Sequence, residues 1–148
     1  MNLTCREALA SELQDLLRLY RQLNPADPEP DPQAAEALFS QMRENTMTRI
    51  LVAHDGEKSL STCTLVVVPN LTRNLEPYAV IENVVTDAKS RGQGAGKAVM
   101  SHAIEEAWKA GCYKVMLMTG TQREGTIAFY ESLGFRADSK TGLEIRRP

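Results

Sequence analysis

The spacing of apolar positions changes along this chain, and each change marks an element. Residues 3–6 (LTCR) suit a short first strand, and behind Ser11 the residues Leu13, Leu16, Leu17, Tyr20 and Leu23 recur at helical spacing, which predicts a capped helix ending at Asn24-Pro25. The next eight residues, PADPEPDP, hold four prolines and three acids and read as a stiff acidic surface loop. Asp31-Pro32 supplies a cap and a first-turn proline for a second helix whose apolar face is Ala35, Leu38, Phe39 and Met42. From Thr48 the period shortens to two: RILVAHD is a strand, Asp55-Gly56 a hairpin turn, LSTCTLVVV a second strand ended by Pro69, and YAVIENVVTD a third, apolar through its middle. These three read as an antiparallel meander. Val99, Met100, Ala103, Ile104, Ala107 and Trp108 then line one helix face that ends at Ala110-Gly111, CYKVMLMT is a buried strand, and Ile127, Phe129, Tyr130 and Leu133 mark a last helix stopped by Gly134. GLEIRR (142–147) can close the sheet, with a further short strand at Phe135–Ala137. The order β, α, α, β, β, β, α, β, α, β is mixed α/β, and the helix joining two strands implies a right-handed parallel crossover.

Composition narrows the class. With 148 residues the chain is expected to be one domain, 1–148, large enough to bury a core without staples. A formal net charge of -2 gives neither the basic footprint of a nucleic-acid binder nor a polybasic membrane patch. No apolar run reaches the roughly 18 residues a membrane span needs, and the N-terminus carries acids where a signal peptide needs an apolar stretch. A cytoplasmic protein with no nucleic-acid or membrane partner is expected. Cys5, Cys63 and Cys112 are odd in number and far apart, without Cys/His spacing, so they read as reduced core thiols and no metal is expected. His54 beside the hairpin turn and His102 on the polar side of a helix read as solvated.

The candidate chemistry lies between the third meander strand and the helix after it. Arg91, Gly92, Gln93, Gly94, Ala95, Gly96 and Lys97 form a bare turn: without Cβ atoms, backbone N–H groups can converge on an anion, and the helix dipole adds attraction. A diphosphate cradle is the reading. The Walker pattern fails, since Arg91 stands where glycine is required and Ala98 follows Lys97. The dinucleotide fingerprint fails as well, because glycine is missing at Lys97 and at Val99.

What remains, RxxGxG before a helix, together with the element order and a later Tyr130, Gly134, Phe135 motif (Tyr-x-x-x-Gly-Phe), resembles the GCN5-related N-acetyltransferases (GNAT) along essentially the whole chain. The resemblance implies a single mixed, mostly antiparallel sheet of six or seven strands flanked by four helices and splayed between the fourth and fifth strands. It implies acetyl-CoA as co-substrate, with its pantetheine arm against backbone groups of Val84, Val85 and Thr86, one N–H facing the thioester carbonyl, where negative charge develops during acyl transfer. The diphosphate would lie on Arg91 to Lys97, Lys97 itself being either a contact or a solvated helix residue. Tyr130 would be the general acid that protonates the departing thiolate, a phenol near pKa 10 and a thiol near 8.5 being close enough for transfer. Many members carry Asn seven residues before that tyrosine. Here Arg123 stands there, as a phosphate contact or a helix cap.

Glu82, the one carboxylate in the central strand and two residues before the expected bulge, resembles a Glu of glucosamine-phosphate acetyltransferases and is the candidate base or amine anchor; the other reading is an edge charge paired with Arg73. The acceptor would meet the two loops PADPEPDP and NLTRNLEP, with Tyr20, Asn24, Arg73, Tyr78 and Glu82 as candidate contacts. The activity expected is N-acetylation of a primary amine on a small molecule by direct attack in a ternary complex. The alternatives are a protein or peptide acetyltransferase and a CoA-binding sensor without turnover. A homodimer is expected through apolar strands near Thr64 to Val68 and the neighbouring hairpin.

Overall fold

The computed structural model describes residues 2–120 and 124–148; Arg123 lies outside the described residues. The chain forms two compact units, one up to Met116 and one from Leu117. Five strands make one sheet in the order β1-β2-β3-β4-β5: β1 Thr4–Glu7, β2 Thr48–His54, β3 Ser59–Val68, β4 Tyr78–Thr86 and β5 Val115–Leu117. The first three pairings are antiparallel, so the expected meander is present. The strands β4 and β5 run in the same direction and are tied at their starts, where Tyr113 N–H donates to Pro77 O (3.0 Å) and Ala79 N–H to Lys114 O (3.0 Å).

Alternation along β2 sorts the helices. Ile50 and Val52 face α1 (Leu13–Leu23) and α2 (Pro32–Glu44), closing a cluster with Ala8, Leu16 and Phe39 against which Leu13, Tyr20 and Met42 pack. Arg49 and Leu51 point the other way, to α3 (Ala95–Lys109), whose buried stripe is Ala95, Val99, Met100, Ala103 and Ala107. The cap predicted for α2 is formed, Asp31 accepting from Ala34 N–H at 2.9 Å. Ser11 does not cap α1. A 3₁₀ turn at Ala10–Glu12 precedes the helix, and Glu12 reaches back to the Leu9 N–H (2.8 Å) while holding Arg6 (2.7 and 2.9 Å).

Four other expectations change. Leu38 and Trp108 are exposed, because each lies at the edge of its helix stripe. The middle of β4 is open to solvent at Glu82 and Asn83. The strand β3 is paired along both edges, so its Thr64 to Val68 segment offers no free strand for self-association. The sheet has five strands where six or seven were expected. Phe135 follows Gly134 (φ 99°) and returns its N–H to Tyr130 O at 3.2 Å, which holds it on the preceding helix. Residues 142–147 have a strand's alternation but no strand partner among the described residues, and Leu143 and Ile145 are 88% and 97% exposed. Alternation specifies one face of a strand; the neighbour must come from elsewhere.

The second unit contains α4, Thr126–Ser132, and the terminal segment. Among the described residues no helix is long and apolar enough to cross a membrane.

One ion-pair network clamps the sheet to α3 and sets an acid limit on stability. Glu106 accepts from Arg49 (2.7 Å) and Lys109 (3.0 Å), and Arg49 also meets Glu7 at 3.2 Å. The Arg49 hydrogen bond, with help from Lys109, lowers the Glu106 carboxyl from an ordinary 4.5 to about 2. A depressed folded-state pKa gives stability that is complete above 4.5 and is lost as pH falls from there toward 2. Urea midpoints followed across that range should fall in the wild type and fall less steeply in Glu106→Gln; parallel curves would remove Glu106 from the acid transition.

Candidate active site

The turn that carries the glycines is built by backbone handedness. After β4, Asp87 N–H donates to Leu60 O (2.8 Å), residues Ala88–Ser90 make a 3₁₀ turn, and the chain crosses Gly92 (φ 74°) and Gly94 (φ 90°, ψ -3°) before α3 begins at Ala95. A Cβ built on Gly92 or Gly94 meets no atom within 4 Å, so these positions exclude other residues by left-handed φ and not by crowding. The first helical hydrogen bond runs from Ala98 N–H to Gly94 O (2.9 Å) and no side chain caps the end. The N–H groups of Ala95, Gly96 and Lys97 therefore lack acceptors in the helix. Arg91, Gly92, Gln93 and Lys97 are exposed, with Gln93 Nε2 donating to Lys89 O at 3.1 Å. The arrangement is a cup of N–H groups at the positive end of a 15-residue helix, with Gly94 and Lys97 exposed and Ala95 buried beneath them, suited to phosphate oxygens.

In β4 the ladder slips by one residue between the pairs Thr64↔Glu82 and Thr62↔Val85, so Asn83 and Val84 stand opposite Cys63. This is a β-bulge, and Asn83 takes φ 53° in it. Beyond the bulge Asp87 bonds β3 through its backbone, and Val85 O accepts the Ser61 hydroxyl at 3.0 Å. By antiparallel alternation Val85 turns its backbone groups to β3, while Thr86 and Val84 turn theirs away. The Thr86 hydroxyl lies 2.9 Å from that of Ser61.

On the face shared with α1, Glu82 stands opposite Thr64 and is exposed, with no ion-pair partner among the described residues. Tyr20 is mostly buried there, its phenol beside the Thr64 and Thr62 hydroxyls; burial raises its pKa and those hydroxyls oppose the rise. It packs on the core cluster. Asn24 ends α1, donating its N–H to Tyr20 O (2.9 Å), and is exposed at the mouth of the acidic loop, where Glu29 pairs with Arg21 at 2.6 Å. Arg73 does not pair with Glu82. Its guanidinium stands 5.5 Å from the Tyr113 ring, and Lys114 Nζ lies 5.4 Å from Tyr113 and 5.5 Å from Tyr78. Two cations thus share two tyrosine rings at the starts of β4 and β5, with no acid bound to either among the described residues. Sequence reading found Arg73 and Tyr78 and missed Tyr113 and Lys114, which a strand pairing across a long separation brings in.

In the second unit the Tyr-x-x-x-Gly-Phe motif is a closed local structure. The Tyr130 ring meets Phe129 at 5.2 Å and Phe135 at 6.0 Å, both edge-on, and Gly134 at φ 99° permits the reversal. Burial works against thiolate formation at the cysteines: it pushes Cys63 up to about 12 and also raises Cys5 and Cys112. His54 is not simply solvated, because its Nδ1 accepts from Gly56 N–H (3.0 Å) and its Nε2 faces Glu12 at 3.5 Å, closing the hairpin.

Known proteins share this fold. The model of the acetyltransferase (GNAT) family matches residues 13–135. A glucosamine 6-phosphate N-acetyltransferase of Trypanosoma brucei brucei is 31% identical over 140 residues, 95% of this chain and 93% of its own. A solved structure from Agrobacterium tumefaciens str. C58, given provisionally as an acetyltransferase, is 49% identical and superposes with a TM-score of 0.92 over 97% of this chain and 99% of its own. Another, a transcriptional regulator from Bacillus halodurans C-125, is 30% identical with a TM-score of 0.89 over 99% and 100%.

The cup separates two effects in one residue. Gly94→Ala and Gly94→Val both force an L-residue into left-handed φ, at about 1–2 kcal/mol of stability. Calorimetry with acetyl-CoA should find weaker binding in both folded variants and the larger loss with the bulkier valine. Equal affinity in all three proteins would remove the cup from the cofactor site.

Proposed function

We infer the activity from one premise: the chain belongs to the acetyltransferase (GNAT) family. We propose that it moves the acetyl group of acetyl-CoA to the primary amine of a small phosphorylated amino sugar, in a ternary complex. The observation that carries the cofactor half is the cup of N–H groups without helical acceptors at Ala95–Lys97, in the turn that follows β4. The acceptor half is supported by the cations Arg73 and Lys114, which stand over tyrosine rings with no acid bound to either among the described residues, by the exposed Glu82, and by the relative whose name specifies glucosamine 6-phosphate. The amine needs a carboxylate and the phosphate needs cations; Glu82 and the Arg73–Lys114 pair supply them.

Each residue then has one task. Glu82 takes one proton from the incoming ammonium, directly or through water, and frees the lone pair that attacks the thioester carbon; the nitrogen's second proton passes to solvent as the C–S bond breaks. One backbone N–H turned away from β3, at Val84 or Thr86, serves the thioester oxygen as charge gathers on it, and the other groups are left to the pantetheine arm. Tyr130, whose role comes from its motif, gives its proton to the leaving sulfur. Arg91 to Lys97 hold the diphosphate. The products are an amide and free CoA thiol.

Thiol release from acetyl-CoA, measured against amino sugars with and without phosphate and against peptides, tests this reading. Turnover should favour the phosphorylated sugar, and Tyr130→Phe should lower kcat by roughly 10²-fold with little change in cofactor Kd, because a late proton acts on the transition state. Turnover with peptides alone would replace the acceptor, and cofactor binding without turnover of any amine would favour a sensor.

A homodimer is proposed with the activity, supported by bare apolar side chains at Leu71 and Leu75 of the β3–β4 connection and at Leu143 and Ile145. Sedimentation velocity should give a dimer; a monomer at every concentration reached would exclude it.

A further inference from the structure

Four residues, Asp87 to Ser90, lead from β4 to the glycine turn, and the first two, Asp87 and Ala88, are gripped by one side chain of α1. Gln22 donates from Nε2 to Asp87 Oδ1 at 3.1 Å and accepts on Oε1 from the Ala88 N–H at 2.8 Å. This fixes the sense of the amide, since the reversed group would set oxygen against carboxylate and NH₂ against N–H. Asp87 is 4% exposed and its other oxygen meets Lys58 Nζ at 3.4 Å and Arg18 at 3.6 Å. Arg18 in turn binds Ser59 O (2.7 Å) and Asp15 (2.7 and 2.8 Å), and Asp15 accepts from the Ser59 N–H. Asp15, Arg18 and Gln22, at helical spacing, form a polar stripe along α1 beside its apolar one. A buried carboxylate carries a large desolvation cost unless it is met on several sides, so this acid is held where it is.

Resting on the acetyl-CoA reading, we propose that Gln22 is a positioning residue for the cofactor turn: its amide fixes where β4 ends and the turn begins, and so ties the cup to the helix that leads into the acidic acceptor loop. The amide touches neither the diphosphate cup nor Glu82. It acts through Asp87 and Ala88, from which the 3₁₀ turn is built, Ser90 N–H closing on Asp87 O at 2.8 Å. A cup whose N–H groups are held in register loses less conformational freedom on taking a ligand, so loosening its base weakens binding without removing a contact.

Gln22→Met keeps the length of the side chain and loses both hydrogen bonds, and Gln22→Ala loses them in the residue that suits a helix best, which guards against unfolding. Calorimetry with acetyl-CoA and steady-state kinetics are run on both variants and the wild type, with melting curves. The expected result is a rise of about tenfold in cofactor Kd and KM, as befits weakened coupling of 1.4 kcal/mol, with a much smaller effect on kcat. A folded variant with wild-type Kd and KM overturns the proposal, and so does a loss confined to melting temperature, which is all that a structural role would produce. Failure of the wild type to bind acetyl-CoA overturns the functional reading as well. Failure of the variants to differ from a wild type that binds overturns the role of Gln22 alone.

Discussion

The pairing of β3 with β4 is the constraint on which the rest of the first unit rests. An antiparallel strand must direct its backbone groups alternately toward its neighbour and away, and the one-residue bulge at Asn83–Val84 resets that alternation midway along β4. Before the bulge Glu82 sits across from Thr64, on the face that α1 covers; after it Val85 and Asp87 are committed to β3 and Thr86 faces outward. A strand without the bulge would turn both the backbone groups and the side chains beyond Asn83 the opposite way. The left-handed Asn83 is the cost of this reset, and asparagine is among the residues that bear it best.

Helix α1 serves that strand on two sides of its own surface. Its apolar stripe, Leu13, Leu16 and Tyr20, closes the cluster over β2, and its polar stripe reaches the start of β3 and the end of β4. Hydrophobic burial decides that the helix stays, because it is non-directional and large; the hydrogen bonds decide where along the sheet it stays.

Much of this was legible in the residues. The helices α1 to α3, the meander and the glycine turn announce themselves through local signals, periodicity and turn residues, which depend on neighbours a few positions away. The polar contacts that join distant segments do not. Nothing in Gln22 marks it as the partner of Asp87, and Lys114 looks like any strand lysine until β5 brings it over Tyr78. The opposite failure occurs at residues 142–147, where the pattern is present and the strand is not, because alternation says nothing about a partner. Ser11 has the chemistry of a cap, yet it lies inside the 3₁₀ turn at Ala10–Glu12, so the backbone is already coiled at the residue that a cap would need extended.

The N–H cup has no side chain in its wall at Gly92 and Gly94, and its neighbours contribute main-chain N–H groups. Its specification is therefore chiral and not chemical: what positions 92 and 94 must supply is the freedom to coil the wrong way. A mirror-image alanine placed at either by chemical synthesis would satisfy that demand where natural alanine strains against it, and each of the nineteen other genetically encoded residues carries the same defect.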